Sequence, residues 1–261
     1  MARPRARLEH RVRRDRRVAL LADAHLHGPG GAAAPLLAQL RELPAAGATR
    51  VVLLGDLFQA WVGFPQFAPP GLDAFLELVG ELRRAGVAVD YVEGNRDFFL
   101  AGSPYAAAFD RLGTETAFEV GGLRCLAVHG DGLDEGDVQY RLWRRATKSP
   151  PVRLAMRRLP AGFARRLVDS TERKLAQTNF KHRVRIPEAA IRRYAARRLA
   201  EGYDVLVLGH FHEERRWEVD AGRVWLLPAW FHSRRVEWID GPSSVQGRAH
   251  RDQDRDQAHR G

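Results

Sequence analysis

Cysteine is almost absent from this chain: Cys125 is the only one in 261 residues. No internal disulfide can form, a reducing compartment suits the protein, and a Cys-based zinc site is excluded. Any bound metal must therefore be held by His, Asp or Asn. Long apolar runs are missing too, and nothing approaches the ~18 residues that a membrane-spanning helix needs. Met1 to Arg17 carries eight Arg with no apolar stretch behind them, so a secretory leader is not expected. Internal repeats are also lacking. With 45% hydrophobic and 28% charged residues, the chain reads as a soluble globular protein, cytoplasmic and able to fold alone as a monomer.

What the chain has in excess is positive charge, formally +10, and it is unevenly placed. Residues 138–200 hold fifteen Arg and three Lys against Asp169, Glu172 and Glu188. The first seventeen residues add eight Arg against Glu9 and Asp15, which leaves the rest of the chain net acidic. An acidic body carrying a strongly basic segment implies an anionic partner, whether nucleic acid, an acidic membrane surface or a phosphorylated substrate. The alternative is a solvated helical face. Aromatics are sparse in the basic segment, among them Trp143, Phe163, Phe180 and Tyr194. Single-stranded nucleic acid, which stacks its bases on such rings, is therefore not expected as a partner.

The first half alternates β-type runs, Val18–Ala22, Val51–Leu54 and Val87–Val92, with helical patterns at Ala33–Ala46 and Leu72–Ala85. This βαβαβ order predicts a mostly parallel sheet with right-handed crossovers. Ala117–Val120 and Leu123–Val128 flank Gly121-Gly122, which predicts a hairpin. From Val138 to Ala200 the pattern turns helical. Pro150-Pro151 and Pro187 suit first helical turns, and Pro160 should break or bend the run. If it only bends, Ala155, Leu159, Phe163 and Leu167 share an apolar stripe among Arg153, Arg157, Arg158, Arg165 and Arg166. Strand patterns return at Val205–Leu208, Trp217–Val219, Val224–Leu227 and Val236–Ile239. The expected organisation is a basic arm over 1–17, a domain over 18–240 carrying a helical insertion at 138–200, and a polar tail over 241–261.

Five predicted strands end in chemistry-bearing loops. They lead in order into Asp23-Ala24-His25, Gly55-Asp56, Gly94-Asn95-Arg96-Asp97, His129-Gly130-Asp131 and Gly209-His210-Phe211-His212. In α/β sheets, ligands bind beyond the carboxyl ends of the strands. Each fragment alone is weak, since a lone Gly-Asp is usually a turn and a lone buried His usually a core residue. Together they point to one constructed site. Carboxylates, an amide oxygen and imidazoles without thiolate suit manganese, iron or zinc rather than calcium. Asp-x-His and His-x-His set two ligands on one side of an extended segment.

This ordered set resembles the calcineurin-like metallophosphoesterases, from about Val18 to Ile239. A narrower similarity, to the UDP-2,3-diacylglucosamine diphosphatases of lipid A synthesis, lies in three stretches. They are Gly55-Asp56-Leu57-Phe58-Gln59-Ala60-Trp61, Gly94-Asn95-Arg96-Asp97-Phe98, and His129-Gly130-Asp131-Gly132-Leu133 with Asp137 and Gln139-Tyr140. Leu227-Pro228-Ala229-Trp230 fits as well. The resemblance implies an α/β sandwich of mixed sheets flanked by helices, with a helical lid insertion. It implies two divalent ions, manganese first among them: one on Asp23, His25 and His212, the other on Asn95, His129 and His210, with Asp56 bridging. It also implies an acylated sugar nucleotide as substrate, contacted by Asn95, Arg96, Asp137 and His210, and by Ser170 and Lys174 from the lid. The place of work would be the cytoplasmic face of the inner membrane, with peripheral attachment.

Arg96 narrows the expected chemistry further. Many calcineurin-like enzymes have a proton-donating His after the Gly-Asn. Arg does not release a proton near neutral pH, but it clamps phosphate bidentately. A phosphate leaving group departs as a stable anion and needs no proton, so Arg96 favours a pyrophosphate bond. The other reading of Arg96 is a structural pair with Asp97. A nuclease or phosphodiesterase on the same metal centre is the competing function.

Overall fold

In this computed structural model the described residues are 14–26, 33–133, 138–164, 166–167, 170, 186–219 and 222–241. Asp137 and Lys174, and the tail beyond residue 241, lie outside them. The early strands are β1 (Arg14–Asp15), β2 (Arg17–Leu21), β3 (Arg50–Leu53), β4 (Trp61–Val62), β5 (Ala88–Val92), β6 (Asp97–Phe98) and β7 (Arg111–Gly113). The later ones are β8 (Glu115–Val120), β9 (Leu123–Val128), β10 (Val205–Leu208), β11 (Arg215–Val219), β12 (Gly222–Leu226) and β13 (Glu237–Asp240). The helices are α1 (Ala33–Arg41), α2 (Leu72–Arg84), α3 (Val138–Thr147), α4 (Pro150–Arg158), α5 (Glu188–Ala200) and the short α6 (Trp230–Ser233).

Two mixed sheets form the body. One runs β13-β2-β3-β5-β7, the other β1-β8-β9-β10-β12-β11, and β4 pairs with β6 beside them. Within the first, β2, β3, β5 and β7 are parallel and β13 is antiparallel at the edge. Within the second, β9, β10 and β12 are parallel. The predicted hairpin is present: β8 and β9 pair antiparallel, and Gly121 (φ 55°) and Gly122 (φ 85°) make its two-residue turn. Positive φ at both central positions suits the right-handed twist of the strands, and glycine reaches it without a steric cost.

The apolar runs are continuous because each central strand is buried on both faces. Val18, Leu20, Val52 and Leu54 point between the sheets towards Cys125, Ala127, Val205 and Val207. The alternate residues Ala19, Leu21, Val51 and Leu53 meet Leu36, Leu40, Phe75 and Leu78 of α1 and α2. On the other side Leu126, Leu206 and Leu208 meet Ile191, Ala195 and Leu199 of α5. A helix–sheet–sheet–helix stack results. Helix α5 thus packs on the body, so the stretch standing off the sheets ends before it; its Arg residues occupy the outer face. Likewise Arg14–Asp15 pairs with β8, and the last residues of the expected basic arm belong to the sheets. Helix α1 stops at Arg41 rather than Ala46, passing into turns through Pro44.

Pro160 breaks the basic segment rather than bending it. Leu159 leaves α4 in extended conformation and helix resumes at 161. The expected stripe therefore splits. Leu159 and Met156, with the buried Ala164, pack on Val62, Phe64 and Phe67, whereas Phe163 and Leu167 face solvent. No helix among the described residues is long and apolar enough to cross a membrane.

Candidate metal centre

Each of the five loops leaves the carboxyl end of a parallel strand, three from one sheet and two from the other. Leu208 is level with Val128, and Leu21 and Tyr91 both with Leu53, so the loops emerge at similar heights and meet where the sheets face. The backbone there is held in a costly conformation. Among the described non-glycine residues only seven have positive φ, and five of them are Asp23, His25, Asp56, His210 and His212. Asp and His tolerate this region better than most residues, but each still costs of order 1 kcal/mol or more. Such a concentration marks a site whose side-chain directions matter more than local stability.

The loops are laced together by main-chain bonds. Asp23 N–H donates to Gly55 O (3.2 Å) and His25 N–H to Asp56 O (3.0 Å). Asp23 Oδ2 accepts from His210 N–H at 2.8 Å, and Asp56 Oδ1 from Arg96 N–H at 2.8 Å. The Asp56 and Asn95 loops touch so closely that neither glycine could carry a side chain. A Cβ on Gly55 would sit 2.5 Å from Gly94 N, and one on Gly94 would collide with Asp56 Oδ1.

Asp23, His25 and His212 bring one ligand atom each within 4.8 Å of one another, and so do Asp23, Asp56 and His129. His25 Nε2 and His212 Nε2 face each other at 3.5 Å. Two imidazoles on one tetrahedral ion at ~2.0–2.1 Å come about this close. Asp23 Oδ1 is buried without a hydrogen-bond partner, although His212 Nε2 is 3.4 Å and His25 Nε2 3.8 Å away. An orphaned carboxylate oxygen between two imidazoles fits a divalent cation. Asn95 Oδ1 lies 3.0 Å from both His129 Nε2 and His210 Nδ1, while His129 Nδ1 donates to Leu54 O at 2.6 Å, which turns Nε2 towards the site. The seven residues expected as ligands are therefore brought together.

Electrostatics bear the same mark. Burial alone would lower His129, but Asp56, Asp23, Asp131 and the Leu54 carbonyl outweigh it and hold it up at about 9. Burial and the neighbouring His129 depress His210 to about 4. Burial raises Asp56 against the pull of His129, and Asp23 raises it further. Asp23 goes the other way, because its three His neighbours outweigh burial.

Arg96 is buried, its Nη1 2.5 Å from Gln59 Oε1 and its Nε 3.6 Å from Asp56 Oδ2. The Arg96–Asp97 pair is not formed. Asp97 Oδ2 accepts instead from Gly94 N–H (2.8 Å) and Asp56 N–H (3.1 Å), and Tyr91 O–H also donates to its carboxylate. Burial and the Asp56 charge raise that carboxyl to about 7. Of the expected lid contacts, Ser170 donates to Leu167 O within its own helical turn. Sequence reasoning missed Gln59, which orients Arg96, and Lys148, whose ammonium donates to Gly94 O at 2.9 Å and lies 5.5 Å from the Phe98 ring. It missed Phe231 as well, whose ring centroid is 5.2 Å from those of both His25 and His212. Gln59 stood in a quoted motif; for Lys148 and Phe231 no local pattern signals the contact.

The chain is 30% identical over 224 residues to the UDP-2,3-diacylglucosamine hydrolase of Ralstonia nicotianae, across 82% of this chain and 83% of that one. A protein of the same name from Xanthomonas campestris pv. campestris is 29% identical over 234 residues, across 84% of this chain and 94% of that one. No protein-family model matches the chain. Among solved structures, phosphopantetheinyl hydrolase from Mycobacterium tuberculosis superposes with a TM-score of 0.44 at 14% identity, over 86% of this chain and 96% of that one.

Proposed function

This chain belongs to the UDP-2,3-diacylglucosamine hydrolase family, and from that premise we propose that it cleaves the pyrophosphate bond of UDP-2,3-diacylglucosamine. The products are UMP and 2,3-diacylglucosamine 1-phosphate, a step of lipid A assembly. Asp23, His25 and His212 would hold one divalent ion, Asn95, His129 and His210 the other, and Asp56 both. Bound there, the ions supply Lewis-acid neutralisation of phosphoryl charge and acidify water. Manganese is the proposed metal.

The observation that carries the reading is Arg96, a buried guanidinium aimed by Gln59 beside the shared carboxylate. Its planar fork matches two phosphate oxygens, and it holds its charge at any working pH. It neutralises the departing phosphate without giving up a proton, which a pyrophosphate permits and an alkyl ester does not. Asn95 and His210 face the same space and are the proposed partners of the substrate's phosphates. Asp137, Ser170 and Lys174 are proposed contacts to the rest of the substrate.

The basic segment serves as the lid over the acyl chains and the attachment to the membrane. Val138, Leu142, Leu154 and Phe163 are half exposed or more, beside Arg145, Arg153 and Arg157. Burying acyl carbons there contributes ~0.8 kcal/mol per methylene, and each basic residue near an anionic surface ~1 kcal/mol. The enzyme would then act as a monomer, peripheral on the cytoplasmic face of the inner membrane.

The test is turnover of the lipid in detergent with products separated by mass, for wild type and Arg96→Ala. UMP is the expected nucleotide, and Arg96→Ala is expected to lose about 100-fold or more on this substrate but far less on a nitrophenyl ester. Release of UDP overturns the proposal. So does absence of turnover while bis(4-nitrophenyl) phosphate or single-stranded DNA is cleaved, which would establish a phosphodiesterase instead.

A further inference from the structure

The first helix of the insertion leans on the two loops that carry Asn95 and His129. Arg144 Nε donates to Asp131 Oδ2 at 2.8 Å. Lys148, in the turn that closes α3, donates through Nζ to Gly94 O at 2.9 Å. Phe98 adds a third contact. The Trp143 ring meets it nearly at right angles with centroids 6.4 Å apart, and the Lys148 ammonium is 5.5 Å from its centroid.

What these contacts fix is the direction of two expected ligands of the second ion. Gly94 O belongs to the rigid peptide plane that leads into Asn95, so a held carbonyl holds the plane from which Asn95 departs. Its other donor, Asp97 N–H, is farther away at 3.4 Å. Asp131 follows His129 across Gly130, whose φ of 108° is open to glycine, and its carboxylate is buried. The ligands of the first ion are braced differently. Asp23 and His25 bond the Gly55 and Asp56 carbonyls, and the Phe231 ring lies against His25 and His212. These contacts of α3 therefore fall on one half of the centre. They do not attract a metal ion by charge, because both groups are cations. Lys148 acts electrostatically on Asp97, and Asp131, the partner of Arg144, on His129 and His210. By charge alone, neutralising either cation would tighten metal binding; loss of a brace would loosen it.

We propose, resting on the dinuclear centre set out above, that α3 is a clamp for the second metal ion. Arg144 and Lys148 are its positioning residues, holding the Asn95 and His129 loops in register. The test is a manganese titration of the full chain, followed by calorimetry and electron paramagnetic resonance, for wild type, Arg144→Met, Lys148→Met and Arg145→Met. Wild type is expected to take up two ions and to give the spectrum of a coupled pair. Arg144→Met and Lys148→Met should each bind the second ion about 10-fold or more weakly, with the affinity of the first ion unchanged. The coupled spectrum should then give way to that of an isolated bound ion. Arg145→Met, at an exposed position of the same helix, controls for the lost charge and should keep both ions. A second ion bound by both Arg144→Met and Lys148→Met as tightly as by wild type, or more tightly, overturns the proposal. So does an equal loss of both ions. A wild type that takes up only one ion overturns the dinuclear centre itself.

Discussion

Gly94→Ala should disable the centre without unfolding the protein. A methyl at Gly94 would collide with Asp56 Oδ1 and stand 2.9 Å from Asp56 Cγ and 3.0 Å from Asp56 N, where ordinary contact begins near 3.4 Å. The loop cannot simply retreat, because Gly94 N–H is fixed on Asp97 and Gly94 O on Lys148. Asp56 must therefore move by about half an ångström or more. The oxygen displaced is the one that accepts the Arg96 N–H at 2.8 Å, so the shift passes to Arg96. Overpacking of this kind costs about 1–3 kcal/mol, or ~2–10 °C in melting temperature for a domain of this size. Misplacing catalytic groups by ~1 Å costs roughly 100-fold in rate. The assay is kcat on the lipid substrate beside metal content and thermal melting, with Gly80→Ala on α2 as a backbone control, since a Cβ there meets only the flexible end of the Arg84 side chain, at 3.3 Å. Activity within a few-fold of wild type, with full metal content, refutes the reasoning.

Asp56→Ala removes the carboxylate proposed to serve both ions; activity should vanish and metal content after manganese loading should fall, whereas an active variant would exclude that role. Arg50 is buried between the sheets, bonded to Asp15 Oδ2 at 2.7 Å and to Asp90 at 2.8 Å. Arg50→Met strands two buried carboxylates and should cost about 3–5 kcal/mol in denaturant melts, with a loss below about 1 kcal/mol counting against this account. In the metal-free protein, the His129 value of about 9 exceeds the ordinary 6.5. Its stabilising contribution is thus complete below pH 6.5 and lost as pH rises towards 9. Melting temperature in chelator should fall over that interval while metal affinity rises, since ligation requires the deprotonated imidazole; an apo melting point flat with pH would contradict the assignment.

The central strands were legible because burial on both faces writes them as uninterrupted apolar runs, and Gly121-Gly122 marked its hairpin. The strands β4, β6 and β7 were not, since strands of two or three residues carry no periodicity and exist only through their partners. The basic composition of residues 138–200 concealed that α5 packs on the body. Its Ile191, Ala195 and Leu199 are as apolar on one side as its Arg residues are charged on the other.

At the centre, the sequence alone determined which ligand types occur, in what order, and that each follows a strand, because strand ends and turn residues are local properties. Only the tertiary structure decided that Asp23 stands against His212 and Asn95 against His129 and His210. Those contacts join segments well separated along the chain and exist because two separately formed sheets bury a common apolar face. The same packing holds the backbone of Asp23, His25, Asp56, His210 and His212 at positive φ, a strain no local sequence would choose and only a surrounding fold can enforce.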